Sequence, residues 1–290
     1  MKESKQYKVF KVFNTIIMIL VILVTLYPFW YLLSISLSGE KYVYAGLVSL
    51  YPKGLTFKTY QVLLAEKEFW TSYKNTIIYT IVGTLVSLFL STLLAYPLSK
   101  KRLKGRGIIL GFVVFTMFFS GGLIPTYLLV NALGMRNTIW GVVLPGAVST
   151  FNVMVMKTFF EGIPAELEEA AEVDGMSTYG ILLKIILPLS KPIMYVMALF
   201  YAVGVWNNWF GPFIYLDDSS KFPVALYLRN ILAGAQQTAV SSTSDQSELA
   251  QISATLKSAS VILTSIPIMM VYPFIQKYFV QGVMIGSLKG

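Results

Sequence analysis

The chain has 290 residues, 56% hydrophobic and only 13% charged, a balance that excludes an ordinary soluble domain, in which about a quarter of residues carry charge. It contains neither cysteine nor histidine, which excludes disulfides, thiolate nucleophiles, a Ser-His-Asp apparatus and the commonest zinc and haem ligands. The formal charge of +9 comes from basic residues that flank apolar stretches and form no stripe interleaved with exposed aromatics, so no nucleic-acid partner is expected.

Charge is absent from Val12 to Gly39, Asn75 to Ser99, Gly107 to Met135, Asn137 to Met156, Pro192 to Leu216 and Ser258 to Gln276. Each stretch meets the roughly 17–25 residues a helix needs to cross a bilayer. The expected fold is therefore all-α and integral to the membrane, with six transmembrane helices. Residues 1–73 hold the first span and an outer loop, and 74–290 form a five-span permease-like domain.

Lys2, Lys5, Lys8 and Lys11 precede the first span, which runs past Leu33 and so exceeds the roughly 7–15 apolar residues of a signal peptide. It reads as a retained span, despite the small residues Ser34, Ser36, Ser38 and Gly39 at its end. The second loop carries Lys100, Lys101, Arg102, Lys104 and Arg106 with no acid, whereas the next has only Arg136. Basic loops stay inside, so both termini are cytoplasmic and the segments Ser38 to Lys74 and Gly211 to Lys257 lie outside. Within the spans, Gly107-x-x-x-Gly111 permits close helix packing. Pro28, Pro125, Pro145 and Pro267 are expected to bend their helices. Asn152 is a lone amide that must face protein or water; it suits a helix-to-helix hydrogen bond or, alternatively, the solute pathway.

Residues 161–190, between the fourth and fifth spans, hold six carboxylates and two prolines and must work beside a bilayer. Pro164 suits a helix start, where Glu166, Glu168 and Glu169 meet the positive end of the dipole. Gly175 can end that helix in a left-handed conformation, and Ser177 can cap a second one running toward Pro188. The expectation is a helix-turn-helix whose small Ala170 and Ala171 let a partner surface approach. The plain alternative is a solvated acidic loop.

On the fifth span, Trp206, Asn207, Asn208, Trp209 and Phe210 cluster near the outer end, with 206, 209 and 210 expected on one helical face. Indoles stack on sugar rings and asparagine serves hydroxyls in both directions, although tryptophan also anchors helices at membrane interfaces. Gly234 to Lys257 reads as a solvated loop grading into a short helix; with Tyr42 to Tyr60 it offers an outer surface to a solute-binding protein. No glycine is followed by lysine, so the phosphate-cradling Walker loop is missing, and no span carries an ionisable side chain of the kind that marks proton-coupled carriers.

The series Glu169-Ala170-Ala171, three residues, Gly175, nine residues, Ile185-x-Leu187-Pro188 resembles the EAA loop of ABC importer permeases. The likeness runs from about Asn75 to the end. Gly282-x-x-x-Gly286-x-x-Lys289-Gly290, Ile124-Pro125-x-Tyr127 and Leu133-Gly134-Met135-x-Asn137-Thr138 resemble the carbohydrate branch, typified by the second permease of maltose-type importers. The run Phe118 to Val130 is similar to a complex-oligosaccharide subgroup.

The resemblance implies a multi-pass subunit of a bacterial cytoplasmic membrane that moves a sugar or oligosaccharide by alternating access. Its partners would be a second permease, two ATP-binding cassette subunits and an extracellular solute-binding protein. ATP and magnesium would belong to the cassettes, leaving this chain with no cofactor, no metal and no catalytic residue. It assigns coupling to Glu169, Ala170, Ala171, Asp174, Gly175, Ile185, Leu187 and Pro188, and leaves Trp206, Asn207, Asn208, Trp209 and Asn152 as pathway candidates. A polyol, glycerol phosphoester or peptide cargo fits the same machinery; the absence of cations within the spans weighs against a highly anionic one, which the second permease would have to hold. A channel or secondary carrier leaves the acidic loop unexplained, and a membrane enzyme lacks a catalytic constellation.

Overall fold

The computed structural model describes residues 4–241, 254–271 and 273, and all regular structure among them is helical. They fall into two compact units, Met1–Lys67 with Leu228–Pro267 and Glu68–Tyr227 with Ile268–Gly290. The tail residues Gly282, Gly286, Lys289 and Gly290 lie outside the described residues.

In the first unit, α1 (Lys5–Ser36) starts on Ser4, whose hydroxyl accepts from the Tyr7 amide at 3.2 Å, and continues through Pro28. The short helices α2 (Glu40–Tyr44) and α3 (Lys58–Ala65) follow. The serines at the end of α1 are buried. Ser36 shares a 2.8 Å hydrogen bond with the Tyr60 hydroxyl, Ser38 accepts from the Lys53 amide at 3.0 Å, and the Trp30 indole donates to the Leu50 carbonyl. Gly54 has φ +62°, and a Cβ there would stand 2.5 Å from the Tyr42 ring, so only glycine closes this loop.

The second unit is organised by α4 (Lys67–Ser99). Its buried side follows helical spacing in small residues, among them Ser72, Thr76, Gly83, Ser87, Ser91 and Ala95, which lets neighbouring helices come close. A Cβ on Gly83 would lie 3.0 Å from Val205 and 3.6 Å from Val143. Then come α5 (Arg106–Phe118), α6 (Leu123–Ala132), α7 (Ile139–Val143), a 3₁₀ turn (Leu144–Gly146) and α8 (Thr150–Glu161). They are followed by α9 (Glu166–Val173), α10 (Thr178–Ile181), a π turn (Leu182–Ile186), α11 (Leu187–Leu189), α12 (Lys191–Trp206) and α13 (Phe210–Tyr215). Last are α14 (Val224–Ser241), which passes from this unit into the first, and α15 (Ala254–Val271).

Three helices, α1, α4 and α15, are each long and apolar enough to cross a membrane, and three bent pairs bring the count to six if each pair is one span. The bends differ from expectation. Gly107 to Met135 is not one straight helix: α5 and α6 meet at 114°, and the turn sits before Gly122, whose φ is +86°, not at Pro125. Pro125 falls in the first turn of α6, where its missing donor has no intrahelical partner to lose. Pro145 sits in the 3₁₀ turn that ends the first arm, and the 58° break follows it, between Gly146 and Thr150. The stretch Gly234 to Lys257 is less loop-like than its composition suggests, since α14 continues to Ser241 and α15 starts at Ala254; residues 242–253 lie outside the described part. Gly107 and Gly111 meet no atom within 4 Å of an added Cβ, so they pack against no helix among the described residues.

The segment after α6 has a conformation that composition alone does not announce. Asn137 sits at φ +57°, its amide donates to the Tyr215 carbonyl at 2.7 Å, and its side-chain oxygen accepts from the Asp217 and Asp218 amides at 3.4 and 3.3 Å. Lys221 donates to the Asn137 carbonyl at 2.9 Å, and Arg136 bridges to Asp217 at 2.8 Å. From α4, Asn75 and Tyr79 donate to the Ser220 and Lys221 carbonyls at 2.7 and 2.8 Å, and Thr76 accepts from the Val224 amide at 2.7 Å. Asn137→Val, which forces a β-branched residue into a left-handed conformation and removes the shared acceptor, is expected to cost about 2–3 kcal/mol, read as a lower midpoint of thermal unfolding in detergent. Asn137→Gly should lose roughly half as much, since it keeps the backbone conformation.

Candidate functional site

The helix-turn-helix expected between residues 161 and 190 is present, with its punctuation as the local chemistry dictates. Ala165, not Pro164, caps α9; Pro164 precedes the cap and accepts through its carbonyl from Leu167 at 3.4 Å. At the other end Asp174 is the C-cap and Gly175 takes φ +80°. The Gly175 amide donates to the Glu172 carbonyl at 3.0 Å and the Met176 amide to the Ala171 carbonyl at 2.9 Å, the paired bonds of a Schellman turn. Met176 and Ala171 join the same apolar cluster, which seals the turn. Nothing lies within 4 Å of a Cβ added at Gly175, so glycine is required there by its backbone angle and not by lack of room.

Ser177 then accepts from the Gly180 amide at 3.2 Å and opens the second helical run. Pro188 cannot donate to the carbonyl four residues back, and the chain widens into the π turn Leu182–Ile186 ahead of it. Ile181, Leu182 and Ile186 are buried in the main core with Val153, Met156 and Phe160 of α8 and Ile193 and Met197 of α12; Ile185 and Leu187 pack against its edge. The run Thr178–Leu189 meets α12 at 84°, just after the exposed Pro188. One turn of the motif is thus exposed, with Glu169, Ala170, Asp174 and Gly175 open to contact, while Ala171 is 5% exposed and belongs to the core.

The carboxylates divide in a way the sequence reading missed. Glu168 and Glu172, one turn apart, face the basic loop after α4. Lys100 pairs with Glu168, lies 4.7 Å from the centre of the Tyr96 ring, and shares Glu168 with the Tyr96 hydroxyl, which donates at 3.4 Å. Arg102 grips Glu172 with both terminal guanidinium nitrogens, Nη1 and Nη2. Arg106 pairs with Glu161 at the end of α8, and its Nε donates to the Leu98 carbonyl at 2.7 Å, so it joins α4, α5 and α8. Lys157 reaches the same Glu161 at 2.9 Å. The hydrogen bonds from Arg102 hold the Glu172 carboxyl below its ordinary range, and Glu172 raises Arg102 in turn. That bridge is therefore fully formed above the usual carboxylate range and is lost only as pH falls through the depressed value of Glu172. The detectable signal was charge complementarity: a loop of five cations without an acid and a loop of six carboxylates, both assigned to one side of the membrane.

The pathway candidates do not form one face. α12 ends at Trp206, and α13 starts afresh at Phe210. Trp206 is buried edge-on against Tyr73, in an aromatic cluster with Phe69, Trp70 and Tyr227. Asn207 donates back to the Val203 carbonyl at 3.0 Å and Asn208 accepts from the Gly211 amide at 3.1 Å, so both amides shape the break between the helices. Trp209 is 38% exposed beside Phe210 and Phe213. Asn152 is buried in α8 and faces protein.

The described residues thus combine helices apolar enough to cross a membrane with an exposed acidic helix braced by a basic loop. No family model matches the chain. It is 41% identical over 266 residues to Protein LplC of Bacillus subtilis (strain 168), covering 92% of this chain and 90% of that one. It is 39% identical over 270 residues to the polygalacturonan/rhamnogalacturonan transport system permease protein YtcP of the same organism, covering 91% and 92%. A crystal structure of a bacterial ABC transporter involved in the import of the acidic polysaccharide alginate contains a chain that matches with a TM-score of 0.82 and 33% identity, over 96% of this chain and 99% of that one. The chain belongs to the permease subunits of carbohydrate-importing ABC transporters, and it serves in the import of a sugar or oligosaccharide.

Glu168→Gln leaves the largely buried Lys100 without its charge partner and should lower stability by roughly 2–3 kcal/mol, less than a fully enclosed pair would lose. Glu172→Gln, on the open side, should leave the unfolding midpoint unchanged, and thermal scans of the two purified variants make the comparison.

Proposed function

We propose that this chain is one of two permease halves in an importer driven by two cassette ATPases and loaded by an extracellular solute-binding protein. In this reading the chain crosses a bacterial plasma membrane six times, with both termini and α9 on the cytoplasmic side. Residues 1–73 form the leading span and outer loop, and 74–290 the five-span permease domain. α9 docks on a cassette, which binds ATP and magnesium. Glu169, Ala170, Asp174 and Gly175 make the contact, while Ala171, Ile185 and Leu187 fix the element to the core and the exposed Pro188 sets the bend ahead of α12. The 84° bend carries its displacement into α12. The tail from Gly282 to Gly290 is assigned to the same assembly by its motif alone.

The observation that carries this reading is the exposed, Schellman-terminated α9, with Val173 88% exposed and, on α10, Tyr179 74% exposed, an apolar and acidic surface on an element that buries only Glu168 and Ala171. For cargo we propose an oligosaccharide. Acidic ones are the first to try, since the alginate importer handles an acidic polysaccharide and galacturonan is one chemically. Trp209, exposed beside Phe210 and Phe213, offers a stacking face on the route, shaped by Asn207 and Asn208 at the helix break, while the buried Trp206 and Asn152 support it from within the protein.

The test is reconstitution of the complete complex in proteoliposomes with its cassettes and binding protein, comparing uronate and neutral oligosaccharides. ATP hydrolysis is expected to rise on adding loaded binding protein. Gly175→Val, strained by about 1–2 kcal/mol at a left-handed position, should insert normally yet lower uptake per ATP. Gly175→Asn should sit between it and the wild type. Equal uptake by all three at equal abundance would remove the coupling role of this turn.

A further inference from the structure

The basic loop that membrane topology alone would explain has a second use. Three cations of one loop meet three carboxylates of the neighbouring segment: Arg106 with Glu161, Lys100 with Glu168 and Arg102 with Glu172. Cations placed only to retain a loop on one side of a membrane need no such partners. The contacts are also layered. Lys100 and Glu168 are 19% and 9% exposed, roofed by the Tyr96 ring, which itself packs edge-on against Phe160 of α8. Arg102 and Glu172 form the outer, bidentate layer, a geometry that fixes direction as well as distance. Arg106 closes the group by joining the last turns of α4 and α8 to the first of α5.

We propose that Lys100 and Arg102 are positioning residues of transport, which tie α9 to the loop between α4 and α5, while Arg106 secures that loop by fixing the start of α5 to the ends of α4 and α8. This rests on the reading that α9 receives the push of a cassette. Without the tie, α9 would be connected to the rest of the unit by Ala171 in the core and along its own chain, through the Gly175 turn ahead of α10 and the connection back to α8. With it, displacement of α9 acts on two further helices at once. The division of the glutamates fits this use: Glu168 and Glu172, spaced i and i+4, hold inward, and Glu169 remains exposed for a partner.

The experiment uses the whole importer in proteoliposomes and reads oligosaccharide taken up per ATP hydrolysed. Arg102→Glu opposes Glu172 with a like charge at an exposed position, so the complex should assemble at wild-type yield. Uptake per ATP is expected to fall about three- to tenfold. The double variant Arg102→Glu with Glu172→Arg, which restores the pair in reverse, should return the ratio to within about twofold of wild type. A merely structural contribution would change yield and leave that ratio alone. An unchanged ratio in Arg102→Glu, or a reversed pair that fails to restore it, overturns the anchor while a coupled wild type keeps the docking reading intact. A wild-type complex whose ATP hydrolysis drives no uptake would remove both.

Discussion

The node on which the second unit depends is the grip of Lys100 on Glu168 beneath the Tyr96 ring. A charged pair at this depth has lost much of its hydration, and it holds only because each partner is further satisfied, Lys100 by the ring face and Glu168 by the Tyr96 hydroxyl. Around it the ends of α4, α8 and α9 converge, with Arg106 joining the start of α5. A helix as polar as α9 has little apolar surface of its own to bury. Its place is therefore set by one alanine, Ala171, and two carboxylates, and this leaves the opposite side bare.

That economy explains the form of the element. Had α9 been held by a broad apolar face, its exposed side would be fixed at the cost of any response to a partner. Held by ion pairs and a glycine turn, it is joined to the end of α4 and the loop after it by polar contacts, not by a broad apolar face. The second helical run supplies the complementary rigidity, with Ile181, Leu182 and Ile186 sunk in the core before the 84° bend into α12. The π turn ahead of Pro188 is the local consequence of a missing donor.

Much of this was legible from sequence because it is written in local chemistry. Gly175 and Ser177 announce a left-handed stop and a cap from their own covalent properties, and the long charge-free runs announce helices. What was not legible depends on residues far apart. The bend between α5 and α6 comes from Gly122, where a glycine's permissiveness outweighs the nearby proline that drew attention. Trp206 and Trp209 share no face because Asn207 and Asn208 consume backbone groups and break the helix between them. The serines after Leu33, whose small size alone hints at a cleavage site, are buried pins for the following loop. The motif Leu133-Gly134-Met135-x-Asn137-Thr138 served as a mark of resemblance, while its physical content is a left-handed asparagine that collects the amides of residues 217 and 218.

The two polar assemblies of the second unit also differ in kind, and the difference bears on how motion can pass through it. Around Asn137 most bonds are between neutral backbone groups and amides, short in range and tightly directional, and they fix one loop against α4. Around Lys100 the bonds are between full charges: the outer Arg102–Glu172 pair is bidentate and directional, while the Lys100 ammonium is a point charge that accepts a wider range of angles. α4 spans both, from Asn75 and Tyr79 near one end to Tyr96 and Leu98 near the other. If α9 takes up the push of a cassette, a helix fixed by neutral bonds at Asn75 and Tyr79 and by charge near Tyr96 and Leu98 would pivot about the first end, because the charged end is where the force would arrive.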